Sequence, residues 1–106
     1  MTNYLVRVEL HNAQRSDYDV LHQAMIIRGF GRTIQADNGR LYELPPAEYS
    51  FFGNDNDALN VEVLAATAAA TTGLRYAVLA VDWKAAAWVG LNEVPNPLNI
   101  LAGLPR

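Results

Sequence analysis

In YLVRVELHN, residues 4–12, Tyr4, Val6, Val8 and Leu10 are apolar, and Arg7, Glu9 and His11 fall between them. A period of two fits an extended strand, whose side chains point alternately to opposite faces. The strand runs from about Asn3 to Leu10. It needs a layer over its apolar face and leaves a second face that is wet or covered by a partner.

The residues that follow supply that layer. The alternation breaks at "NAQRSDYD", where Ser16 is placed to cap a helix and Asp17 and Asp19 put negative charge at its start. Tyr18, Val20, Leu21, Ala24, Met25 and Ile27 form an apolar face at helical spacing, with Asp19, His22 and Gln23 opposite and Ile26 on the polar side. Gly29 in "RGFG" is suited to the left-handed conformation that ends a helix. "RTIQAD" reads as a second strand, and Asn38-Gly39 is the strongest hairpin signal in the chain. "RLYEL" returns before Pro45-Pro46 interrupts the ladder, and "AEYSFFG" is the third strand proper. Asp55 or Asn56 then caps an alanine-rich helix that ends at Gly73, and "LRYAVLAVD" is a fourth strand, apolar on both faces.

Strand, helix, strand, strand, helix, strand is the split βαβ, or ferredoxin-like, order. The expected fold is α+β: a four-stranded antiparallel sheet with two helices on one face, spanning residues 1–82. Residues 83–106 form a partly apolar C-terminal extension, in which Trp83, Trp88, Val89 and Leu98-Asn99-Ile100-Leu101 are too apolar for a solvated tail. That extension is expected to dock on this chain or on a second copy. With the fourth strand apolar on both sides, the open face of the sheet is expected to close in a homodimer.

Composition narrows the function classes. The 106 residues suit one core, and 51% hydrophobic against 18% charged residues is a globular composition. A net charge of −3 argues against tight non-specific binding to nucleic acid, and no DNA partner is expected. Arginine nevertheless supplies every basic residue except Lys84, which favours planar pairing with carboxylate or phosphate. Cysteine is absent, which removes disulfides, thiolate nucleophiles and Cys-rich zinc sites. The apolar stretch around Ala68 is broken by threonines, Gly73 and Arg75, so no membrane insertion is expected, and no leader pattern opens the chain. The cytoplasm is the expected location.

Four groups could carry chemistry. Arg7, Glu9 and His11 share one strand face, where they read first as an ordinary polar sheet surface and second as a site for acid–base work on a phosphodiester. His22 is a second candidate, with the surface reading favoured; two histidines without regular spacing to a carboxylate support no metal site. "GNDNDALNVE" fails as a calcium loop, since Leu59 holds a ligand position and Asn60 stands where glycine is needed. Arg28, Arg32 and Arg40, with Tyr42, Tyr49 and Phe51 nearby, give weak support for RNA contact, against which Asp37, Glu43 and Glu48 are interleaved.

"YLVRVELHN", "YDVLHQAMIIRGFGRTIQAD", the hairpin arm, "AEYSFFG" and the alanine-rich helix resemble the GhoS-type antitoxins of type V toxin–antitoxin systems. Their ferredoxin-like fold is shared with the small dimeric nuclease-like proteins of CRISPR adaptation. The resemblance covers roughly Asn3 to Asp82 and rests on structural motifs. It implies an RNA-acting protein, an endoribonuclease that cleaves the messenger RNA of a small membrane toxin. Glu9 stands where the CRISPR proteins carry an acidic residue for metal-dependent work, here as glutamate rather than aspartate. The helix stretch where the antitoxins carry arginines is "DVLHQAM", with His22 and no arginine. The resulting candidates are Glu9 and His22 for catalysis and Arg7, Arg28, Arg32 and Arg40 for RNA contact, with no cofactor identified. The alternatives are a non-enzymatic dimeric interaction module and a small-molecule site between sheet and arm.

Overall fold

The computed structural model of the chain describes residues 1–53 and 57–95. Strand β1 (Thr2–Leu10) is followed by α1 (Arg15–Ile27), β2 (Thr33–Gln35), β3 (Leu41–Glu43), β4 (Glu48–Gly53), α2 (Ala58–Ala70), β5 (Tyr76–Asp82) and β6 (Glu93–Val94). The class is α+β, as expected, but the strands form two antiparallel sheets of three, ordered β4-β1-β5 and β2-β3-β6.

β1 is the central strand of the first sheet, and its alternation works as the sequence indicates. Val6 and Val8 have no exposed surface, and Tyr4 and Leu10 are buried beside them, while Arg7 and Glu9 are exposed on the opposite face. The buried side meets Leu21, Ala24 and Met25 of α1 and Val61, Ala65, Ala68 and Ala69 of α2. Alanine at three of the four buried α2 positions lets that helix lie close to the sheet.

A single four-stranded sheet does not form. The segment before β2 touches β4 through one bridge, Gly31 to Ser50, with backbone bonds of 2.8 and 2.9 Å. A Cβ at Gly31 would lie 3.0 Å from Ser50 Oγ, so this approach suits glycine. Beyond it β2 turns onto β3 instead. The Asn38-Gly39 signal marks a three-residue loop: Ala36 N–H bonds to Arg40 O, Gly39 N–H bonds to Ala36 O, and Gly39 has φ +86°. A type I turn closed by a left-handed glycine fits those bonds. β3 is completed on its other edge by Glu93–Val94. A local hairpin and a late-arriving strand thus take the hydrogen bonds that a fourth strand would have given to β4.

The second sheet and the extension lie over part of the first sheet's open face. Leu5 and Glu48 of the first sheet line one groove with Ile34, Leu44, Trp88 and Leu91. Trp88 lies against Tyr42, with ring centroids 5.5 Å apart, and Val89 is exposed. Leu98-Asn99-Ile100-Leu101 lies outside the described residues.

Helix ends differ from the expected ones. The cap of α1 is Gln14 rather than Ser16, and Asp17 accepts from Gln14 N–H at 2.8 Å. Asp57, rather than Asp55 or Asn56, caps α2 by accepting from Asn60 N–H at 2.9 Å. The inward stripe of α1 is Tyr18, Leu21, His22 and Met25, which leaves Val20 and Ile27 exposed although their spacing suggested burial. Leu21 is fully buried in this stripe. Leu21→Ala is expected to lower the unfolding free energy by about 2–5 kcal/mol, read from urea denaturation with an unchanged m-value.

Candidate functional site

The sheet separates the two expected catalytic residues. Glu9 is exposed on the open face of β1, opposite Ala77 of β5. His22 is half-buried on α1, which covers the other face. Glu9 and His22 therefore do not meet across a substrate-sized gap; a whole sheet lies between them. Thr33 and Gln35 of β2 lie away from Glu9 and line a groove with Asn3, Ser50 and Trp83.

His22 belongs to a different group. Tyr49 of β4 is paired in register with Val6, and it points to the helix side with no exposed surface. His22 Nδ1 and the Tyr49 hydroxyl are hydrogen-bonded at 2.5 Å. Arg32 lies over the same Tyr49 ring, its guanidinium carbon 5.6 Å from the centroid. Tyr18, one turn before His22 on α1, accepts from Leu10 N–H at 3.1 Å and anchors the end of β1. The group thus links α1, β1, β4 and the segment entering β2.

Its electrostatics follow from this enclosure. Desolvation lowers the pKa of His22 from its ordinary value, the positive charge of Arg32 lowers it further, and Asp19 opposes both. Desolvation pushes the Tyr49 phenol up to about 12, with Arg32 acting in the opposite direction. The His22–Tyr49 bond therefore joins a neutral imidazole to a protonated phenol at neutral pH. Nε2 makes no hydrogen bond within the described residues, and the His22 side chain is only half-buried. Arg32 Nε, by contrast, is buried with no hydrogen-bond partner among the described residues.

The remaining candidate arginines are dispersed. Arg7 is exposed on the open face, flanked by Glu48 and Leu79. Arg28 donates to Ala24 O at 2.8 Å and closes the end of its own helix. Arg40 is exposed on the arm, 3.8 Å from Glu93, a separation at which a surface ion pair adds little. Among the described residues, no group of three His, Cys, Asp or Glu side chains is placed to hold a metal ion. Between arm and extension lies an open cleft of about 520 Å³, lined by Gln35, Asp37, Tyr42, Trp83 and Trp88.

Tyr49 and Tyr18 were missed as partners of His22. The signal was present, because His22 lies four residues after Tyr18 and next to Leu21, on the stripe that faces the sheet. No helix among the described residues is long and apolar enough to cross a membrane. Neither a known protein-family model nor a curated protein matches the chain.

The pH dependence follows from the sign of the shift. Above 6.5, His22 is neutral in both folded and unfolded chains. Below that value the unfolded chain takes up the proton first, so stability falls as the pH drops toward the folded-state pKa. His22→Gln should flatten this part of the curve of unfolding free energy against pH. Equal slopes for the two proteins would mean that His22 is not held neutral by the fold.

Proposed function

We propose that the chain is a small RNA-acting protein of the kind implied by its resemblance to GhoS-type antitoxins, an endoribonuclease working in the cytoplasm through His22 and Arg32. The observation that carries this reading is a neutral, half-buried imidazole bonded to Tyr49, whose ring lies under an arginine. In the reacting tautomer Nδ1–H donates to the Tyr49 oxygen, and Nε2 is free to act as a base. It takes the proton of a ribose 2′-hydroxyl, whose oxygen attacks the adjacent phosphorus. Arg32 balances the negative charge that gathers on the phosphoryl oxygens. The 5′-oxygen leaves and is protonated by solvent, giving a 2′,3′-cyclic phosphate and a free 5′-hydroxyl. No metal enters this route.

Arg28, on the same helix, has a structural duty at the helix end, and Arg7 and Arg40 reach other surfaces. The RNA contact in this reading therefore centres on Arg32. A second reading, a non-enzymatic homodimeric module, is favoured by β5, whose Leu79 is 62% exposed on a strand with hardly a polar residue.

Incubation with a mixed RNA pool tests the first reading. Cleavage should persist with a chelator and in Glu9→Gln. It should fall by about 10²–10⁴-fold in His22→Ala and drop in Arg32→Gln, with cyclic phosphate ends on the products. Cleavage that needs a metal and is lost in Glu9→Gln would overturn the assignment to His22. Absence of both cleavage and RNA retention at low salt would overturn the RNA reading itself.

A further inference from the structure

Among the described residues β5 is an edge strand, with the hydrogen-bonding groups of alternate residues pointing outward. Among the described residues it pairs only with β1, in a register that sets Leu10 opposite Tyr76 and Tyr4 opposite Asp82. His11 N–H bonds to Arg75 O, and Trp83 N–H bonds to Asn3 O, one step beyond each end of that register. Hydrogen-bonded pairs alternate along an antiparallel ladder. Arg75, Ala77, Leu79, Val81 and Trp83 thus direct their backbone groups to β1, while Tyr76, Val78, Ala80 and Asp82 direct theirs to the free edge. The strand, YAVLAVD, holds no proline, no lysine and no bulge, the usual means of blunting an edge. Tyr76, Leu79 and Val81 are exposed along it.

We propose that this edge is the seam of a homodimer, in which β5 of one copy pairs antiparallel with β5 of a second about a two-fold axis at Leu79. The proposal deepens the module reading above and is independent of RNA cleavage. The register follows from three conditions. Centring on Leu79 uses all seven residues, setting Tyr76 against Asp82 of the second copy, Ala77 against Val81 and Val78 against Ala80. It makes Val78–Ala80 a hydrogen-bonded pair, which matches the outward groups of the even-numbered residues, and leaves the two Leu79 side chains as a non-hydrogen-bonded pair. It also keeps like charges apart: each Asp82 lies at the end where the other copy carries Arg75, and neither residue has an ion-pair partner among the described residues. Paired residues on a sheet share a face, so both copies place their helices on the same side. The product is one six-stranded sheet, β4-β1-β5 joined to the same three strands in reverse, with the Leu79 side chains meeting on its open face.

The chain has no cysteine, so one introduced thiol can form a disulfide only between copies. In a non-hydrogen-bonded pair the Cα atoms stand about 4.5 Å apart, within disulfide range. Leu79→Cys, oxidised by air with a copper catalyst, should give a covalent dimer. Val81→Cys should not, because its two copies lie about 13 Å apart along the strands. Light scattering on the natural chain should give twice its 11.7 kDa mass. Ala80→Pro, which removes an outward N–H without touching the β1 ladder, should give a monomer with an unchanged circular dichroism spectrum. A natural chain that stays monomeric at every concentration overturns the proposal. If its β5 edge is then protected from hydrogen exchange, another segment of the chain occupies it. Cross-linking of Val81→Cys as readily as Leu79→Cys overturns the register.

Discussion

A phenol with no exposed surface must find its hydrogen bond inside the protein, and at Tyr49 that requirement ties the fold to its candidate site. The Tyr49 ring fills the helix side of β4 beside Val6, and its hydroxyl reaches His22 on α1. A buried hydroxyl left unpaired costs about 1–3 kcal/mol, so α1 is held with His22 turned inward rather than toward water. Arg32 closes the arrangement from the segment entering β2, over the same ring. One residue therefore joins the helix that carries the imidazole to the strand over which Arg32 lies.

The same inward turn explains why the site was only partly legible in the sequence. On a helix of this size, Val20 and Ile27 fit an apolar face by spacing as well as Tyr18 and Met25 do. Hydropathy alone therefore rotates the face away from His22. The choice is made by a polar bond to Tyr49, which lies 27 residues away in sequence. Glu9 stood out because strand alternation is local, and its position on the outer face of β1 was read directly. That it lies across the sheet from His22 follows only once α1 is placed.

The sheet shows the same division between local and distant information. β1, both helices, β4 and β5 were legible from period, alanine content and turn residues. The departure of β2 from the first sheet was not, because the hairpin it forms with β3 belongs to a sheet that Glu93–Val94 completes from far along the chain. The Asn38-Gly39 turn predicts a hairpin without saying that the hairpin will belong to a second sheet. The apolar character of both faces of β5 was equally plain. Its outward hydrogen-bonding groups required the register with β1.

The central claim is that burial and the positive charge of Arg32 hold His22 neutral in its bond to Tyr49. With two histidines in the chain, each imidazole can be followed separately by NMR across a pH titration. The account predicts that His22 titrates below 6.5, and that Arg32→Gln moves it upward by removing a positive charge. A His22 that titrates at or above 6.5, with no response to Arg32→Gln, would contradict it.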